Sequence, residues 1–222
     1  MQSFKLIFQK DEFSYDTPKM NRIKLMNIIS KACGDYATNC YIVAIEGKEI
    51  IIDPGQDAAS WVRDHVSHPV AILNTHGHFD HVWSNASLQK EFNIPLYAPK
   101  ADLFMLKDDI FGYGMPPSSA DVVVEGDQTL SIDDIEVSFL HFPGHTPGCS
   151  VIVIENTMFS GDFIFQNSIG RYDFPYSNAG QMKQSLERFL TLKENMEVYP
   201  GHGGKTTIVA EQANIPHWLR YF

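Results

Sequence analysis

The chain has 222 residues, 44% of them apolar, with 17 Lys and Arg set against 27 Asp and Glu for a formal charge of -10. This length and composition suit one domain, or two closely packed halves, around a full core, while the acidic balance lacks the cationic surface a nucleic-acid binder needs. No apolar run approaches the roughly 18 residues of a spanning helix. The opening MQSFKLIFQKDEFSYD has charges where a signal peptide is apolar, and Cys33, Cys40 and Cys149 are too few for a disulfide framework. The expectation is a cytoplasmic protein engaging neither nucleic acid nor membrane.

Residues 1–26, with Pro18 and mixed charge, read as an N-terminal extension ahead of a domain over 27–222. Cys40 to Glu46 and Glu49 to Asp53 are β-rich runs joined at Gly47-Lys48, a hairpin signal. Ala58 to His65 reads as a short helix and Val70 to Thr75 as a buried strand. Ser84 to Phe92 and Ala101 to Ile110 read as helices, with a strand over Pro95 to Ala98 between them. MPPSSA, residues 115–120, divides the chain. The second half offers strands at Val122 to Val124, Leu130 to Ile132, Ile135 to His141, Val151 to Ile154 and Met158 to Ser160. Asn178 can cap a helix whose Met182, Leu186, Phe189 and Leu190 form a core stripe. A strand over Glu197 to Tyr199 and a helix over Thr207 to Ala213 close the chain. Each half runs from meandering strands to helix, strand, helix. Two such halves predict an α/β (α+β) four-layer αββα sandwich.

Directly after the buried strand stands THGHFDH, residues 75–81, with four potential metal ligands inside six residues. Side chains at i and i+2 of an extended segment share a side, so His76 and His78 can grip one ion. Asp80 and His81 follow as the chain turns and point toward a second ion. His145 in HFPGHTPG, Asp162 in SGD and His202 in YPGHG repeat a pattern of strand, sharp turn and polar residue. A lone loop histidine is more often a surface residue, but together these strand ends can converge on one edge of the sandwich. Asp53, ending IIDPG, reads both as a turn residue and as an acceptor that fixes a ligand imidazole. Cys40 and Cys149 read as small buried residues.

The motifs THGHFDH, PGHTPG, GD and PGHG, in this order, resemble the metallo-β-lactamase fold superfamily. TNCYIV, IIDPG and GRYDFP are similar to its glyoxalase II, or hydroxyacylglutathione hydrolase, branch. The resemblance implies that His76, His78 and His145 hold one metal, that Asp80, His81 and His202 hold another, and that Asp162 bridges both. Zinc suits such a set, as do iron and manganese. Position 162 is Asp where zinc β-lactamases of the common type have Cys, which argues against antibiotic hydrolysis. Position 78 is His where the oxygen-reducing diiron branch has an acid. With 20 residues after His202, the chain resembles a compact type without the helical domain that grips glutathione.

The implied reaction is hydrolysis of a small-molecule thioester such as S-D-lactoylglutathione. A hydroxide shared by two divalent ions would attack, with Asp80 and Asp162 as the carboxylates serving it. Arg171 in GRYDFP is a candidate for a substrate carboxylate, although a pair with Asp173 is at least as natural; Lys205 is a weaker candidate of the same sort. The rivals are a mononuclear-iron persulfide dioxygenase, similar in nearly every motif, and a metal-binding protein without catalysis.

Overall fold

The structure, a computed structural model, describes residues 25–222. Its plan follows from strands that are apolar on both faces. Along β2 (Thr38–Ile45), Tyr41, Val43 and Ile45 enter one apolar cluster, while Cys40 and Ile42 enter another. The same alternation runs through β3 (Lys48–Ile52) and β4 (Pro69–Leu73), where Ile50, Ile52, Ala71 and Leu73 face one side and Ile51 and Ile72 the other. A strand that is buried on both faces must be covered on both faces.

The first sheet runs in the order β1 (Met26–Cys33), β2, β3, β4, β5 (Leu96–Pro99), β6 (Val122–Val124). Its first pairs are antiparallel, and those from β3 to β6 are parallel. The second sheet comprises β7 (Gln128–Ile132), β8 (Ile135–His141), β9 (Ser150–Ile154), β10 (Thr157–Gly161), β13 (Glu197–Pro200) and β14 (Thr206–Thr207). A small hairpin of β11 (Ile164–Phe165) and β12 (Ser168–Ile169) stands apart from it. Between the sheets lie Tyr41, Val43, Ile50, Leu73, Val137, Phe139, Ile152 and Phe159, all buried. Outside the first sheet pack α1 (Ala58–His65), α2 (Phe79–Val82), α3 (Asn85–Phe92) and α4 (Leu103–Lys107). Outside the second pack α5 (Ala179–Phe189) and α6 (Ile208–Trp218). Three apolar layers separate four structural layers, the expected αββα sandwich.

The departures from expectation have local causes. The extension over 1–26 lies outside the described residues except for Leu25 and Met26, and Met26 opens β1, a strand the sequence did not announce. The hairpin turn is Glu46-Gly47, both with positive φ, so Lys48 already pairs with Ile45. The helix expected over 101–110 is shorter: a 3-10 turn at Lys100–Asp102 precedes α4, which ends at Lys107. Asn178 caps α5 by accepting from the Gln181 amide at 2.9 Å. Of the predicted stripe, Met182, Leu186 and Phe189 are buried, whereas Leu190 stands at the C-cap and is 39% exposed. The last helix runs on through Pro216, held by Ile215 and Trp218 against the apolar layer of the second sheet. Tertiary packing thus overrides the usual cost of an internal proline. Cys33, Cys40 and Cys149 are free and buried. Among the described residues no helix is long and apolar enough to cross a membrane.

Candidate metal centre

The seven residues singled out by sequence meet at one edge of the sandwich, where strands of both sheets end. His76 and His78 follow β4, and Asp80 and His81 sit on α2, a single helical turn before α3. His145 lies between β8 and β9, Asp162 directly after β10 and His202 after β13. The two halves are stitched here. Asn39 of β2 donates from its amide to Gly201 O (2.7 Å) and from its side chain to Pro200 O and Gly203 O (each 3.0 Å), while Thr38 bridges His202. Gly201 is required on steric grounds: a Cβ there would collide with Asp162 Oδ1 and lie 2.7 Å from His81 Cε1.

The imidazoles are oriented from behind. His76 Nδ1 lies 3.0 Å from Thr75 Oγ1, whose own hydrogen goes to Asp53 Oδ2 at 2.6 Å. His81 Nδ1 lies 3.0 Å from Asp53 Oδ2. His145 Nδ1 donates to the Arg171 carbonyl (2.7 Å) and His202 Nδ1 to the Tyr36 carbonyl (3.0 Å). A carbonyl only accepts, so Nδ1 must carry the proton in those two rings. Each of these four rings is therefore turned with its Nε2 toward the centre. His78 is placed differently, with Nδ1 2.9 Å from His145 Nε2.

The result is two groups of converging donors. Atoms of His76, His78 and His145 lie within 4.8 Å of one another, as do atoms of Asp80, His81 and His202. Asp53, His76 and His81 also meet that distance, but Asp53 spends its oxygens on the Thr75 amide, the Thr75 hydroxyl and His81 Nδ1. It stands behind the donors. Among the described residues, His76 Nε2, His78 Nε2, His81 Nε2 and Asp162 Oδ1 are buried with no hydrogen-bond partner. Buried polar atoms are seldom left so. Divalent metal would satisfy such atoms, so the residues present fit a bound metal.

The charge balance differs across the centre. Burial, followed by repulsion from neighbouring imidazoles, drives His76 well below the usual histidine range; burial and His145 take His78 down to about 3. Burial opposes a charge on His81, but Asp80 and Asp162 outweigh it and raise that ring well above the ordinary value. Burial opposes a charge on His202 too, yet hydrogen bonds to Asp162 and Asp80 lift it to about 9. Asp162 is pushed up by burial and pulled further down by His81 and His202, ending well below the usual carboxylate range.

Sequence reasoning missed the residue that fastens the first group. Asp102, wholly buried, accepts from the Gly77 amide (3.0 Å), the Thr146 hydroxyl (2.6 Å) and the Gly148 amide (2.6 Å), tying the His76–His78 segment to the His145 loop. Burial raises its pKa against those hydrogen bonds. Thr38, which donates to Asp80 Oδ2 at 2.6 Å, and the Tyr36 carbonyl support the second group. Thr38 opens the TNCYIV stretch; nothing in the sequence marks Asp102 or Tyr36.

Above the donors lies a cleft of about 760 Å³ that includes His78, Asp80, His145, Asp162, Arg171 and His202 in its lining. Arg171 makes a two-pronged pair with Asp173, 2.8 Å at each contact, and stacks on Phe174 with Cζ 4.2 Å from the ring centroid. Lys205 does not line the cleft; it is held by Glu197 at 2.7 Å.

An αββα sandwich with these His and Asp groups at its strand ends defines a metallo-hydrolase scaffold. The chain belongs to the metallo-β-lactamase superfamily, whose family model matches residues 33–202. It is 31% identical over 208 residues to the hydroxyacylglutathione hydrolase GloC of Haemophilus influenzae, covering 86% of this chain and 97% of that one. Among solved structures it is similar to BLEG-1 B3 metallo-β-lactamase, with a TM-score of 0.79, 31% identity and coverage of 87% and 99%. It is also similar to TTHA1623 in a di-iron-bound form, with a TM-score of 0.73, 31% identity and coverage of 85% and 99%.

Proposed function

We propose that this protein is a dinuclear thioester hydrolase of the hydroxyacylglutathione hydrolase type. The position of Asp162 carries the reading. Its Oδ2 lies 3.5 Å from His145 Nε2 and 3.4 Å from His202 Nε2, and its Oδ1 lies 3.2 Å from His81 Nε2. One carboxylate thus reaches both donor groups, the arrangement a bridged pair needs. His76, His78 and His145 would hold one divalent cation, Asp80, His81 and His202 the other, with zinc, iron and manganese all compatible with the donors. When bound, two such ions lower the pKa of water and polarise a carbonyl.

The protein's own groups do the positioning. Asp53, Thr75 and the Tyr36 and Arg171 carbonyls keep the imidazoles facing inward, and Asp102 locks the two loops that bear His76, His78 and His145. Phe111 and Phe174 flank His78 at ring distances of 5.6 and 6.0 Å. A thiolate leaves without full protonation, since thiol pKa values lie near 8.5, so no acid from the protein is required.

Metal analysis of the purified protein tests this reading alongside three assays: thiol release from S-D-lactoylglutathione, oxygen uptake with a persulfide, and cleavage of a β-lactam. Two ions per chain with thiol release is the expected result. One iron with oxygen uptake would replace it with a persulfide dioxygenase. β-Lactam cleavage alone would align the protein with BLEG-1, and bound metal without any turnover would leave a metal-binding protein.

A further inference from the structure

The cleft above the donors has one dominant chemistry. Phe79 lies against Tyr113, Tyr36 and Phe111 at centroid distances of 4.5, 5.1 and 5.8 Å, making a continuous aromatic wall that ends on His78. Phe174 faces His78 and His145 at 6.0 and 6.1 Å. Tyr36 and Tyr113 both pack on Phe79, so the turn between β1 and β2 meets the loop after α4 there. Yet Tyr36 is 50% and Tyr113 54% exposed. A connected apolar surface left open to water beside a reactive centre marks a ligand-binding wall.

Charge is scarce on the same surface. Among the described residues, Arg171 is the only Lys or Arg lining the cleft, and both edges of its guanidinium are taken by Asp173. A glutathione moiety brings two carboxylates and one ammonium. Away from the donors, its carboxylates would meet a single cationic side chain, Arg171, which already has a partner, and desolvating them without compensation is unfavourable.

Resting on the thioester-hydrolase reading, we propose that the cleft selects uncharged thioesters carrying an aromatic-sized apolar group over glutathione thioesters. In the reaction the oxygen of water bonds to the acyl carbon, and the C–S bond breaks with its electron pair going to sulfur. The protons of water pass to the thiolate and to solvent, leaving a carboxylate and a thiol with no change of oxidation state.

The test uses the metal-loaded protein and five substrates: acetyl and phenylacetyl thioesters of N-acetylcysteamine, a neutral thiol, the same two acyl groups on glutathione, and S-D-lactoylglutathione. Apolar pockets discriminate by about 10-fold or more for small changes in buried group, and kcat/KM for the phenylacetyl N-acetylcysteamine ester is expected to exceed the acetyl one by at least that factor. The phenylacetyl glutathione ester should be no better than its N-acetylcysteamine counterpart. Phe111→Ala should narrow the phenylacetyl-to-acetyl ratio with metal content unchanged, and Asp173→Asn, by freeing Arg171, should raise the glutathione esters relative to the neutral ones. Equal rates for the two acyl groups, or a strong preference for S-D-lactoylglutathione, would overturn the selectivity while leaving thioester hydrolysis standing. Failure of all five substrates would instead remove the reading beneath it.

Discussion

The two donor groups of the centre are built on different principles. His76, His78 and His145 are buried to 0%, 5% and 2% exposure, and burial with mutual repulsion keeps His76 and His78 neutral. Their loops are fastened from outside by Asp102 through backbone amides. Asp80, His81 and His202 mix a carboxylate with imidazoles, and the His202 side chain is 30% exposed. Their support comes from Thr38, Asp53 and the Tyr36 carbonyl. The first group is a buried nest of imidazoles whose two loops are joined through one carboxylate. The second is a charge-balanced set at the solvent edge, and it depends on several shorter braces. Damage should therefore spread differently in the two.

The largest effect is expected where the groups join. Asp162→Ala removes the carboxylate that reaches both, so kcat should fall beyond the roughly 10–100-fold typical of losing a supporting partner, with KM changing much less. Steady-state kinetics with metal content measured on the same sample check this. A change confined to KM would mean that Asp162 does not serve both groups. The pair His76→Ala and His202→Ala comes next. Because His202 stands at the open edge, its loss should remove about one ion per chain and leave the first group loaded. His76→Ala should cost metal from both, since it opens the buried nest beside His81, whose ring centroid is 4.1 Å away. Equal stoichiometry in the two variants would erase the distinction.

A smaller effect separates the braces themselves. Asp102→Ala leaves the Gly77 and Gly148 amides and the Thr146 hydroxyl without acceptors, and a buried group so orphaned costs about 1–3 kcal/mol. Melting should drop by several degrees even in metal-free protein, and metal affinity of the first group should weaken with it. Thr38→Val removes one hydrogen bond, worth about 1 kcal/mol, and should weaken only the second group. If both variants lower affinity at both groups alike, the braces are not independent.

These contrasts also explain what the sequence disclosed. THGHFDH packs four donors into one loop, so chemistry there is visible without any knowledge of tertiary contacts. His145, Asp162 and His202 sit far apart in sequence, and only the repeated strand-turn-polar pattern linked them. Asp102 left no such trace: its partners are 25, 44 and 46 residues away, and two of them are backbone amides, which any sequence supplies. Lys205 illustrates the opposite error, since nearness to His202 along the chain does not bring it to the cleft. In the fold, the layered architecture followed from two halves that each run from meandering strands to helix, strand, helix, whereas β1, MNIISKAC, has neither an unbroken apolar run nor clean alternation. Its strand state is imposed by pairing along the whole of β2.

The smallest predicted effect tests how far support for the His145 loop extends. Asp127, ahead of β7, accepts from the His141 amide at 2.8 Å and from Arg188 of α5 at 3.1 and 2.7 Å, while Arg188 also donates to the His141 carbonyl at 2.6 Å. This clamp grips the end of β8 just before the chain enters the His145 loop. Burial works to raise the Asp127 carboxyl, but the His141 amide and Arg188 bring it below its ordinary value. A carboxylate whose folded pKa is depressed adds stability above its unfolded pKa, near 3.9, and loses that contribution as pH falls through the folded value. Since the pair is half exposed, solvent screening limits the contribution to about 0.5 kcal/mol. Asp127→Asn should therefore lower the melting temperature by about 1–2 °C at pH 7, with the gap from the parent protein closing as pH drops below about 4. A gap that persists in acid would assign the clamp's contribution to packing of Arg188 on Phe142, 4.4 Å from its ring centroid, rather than to charge.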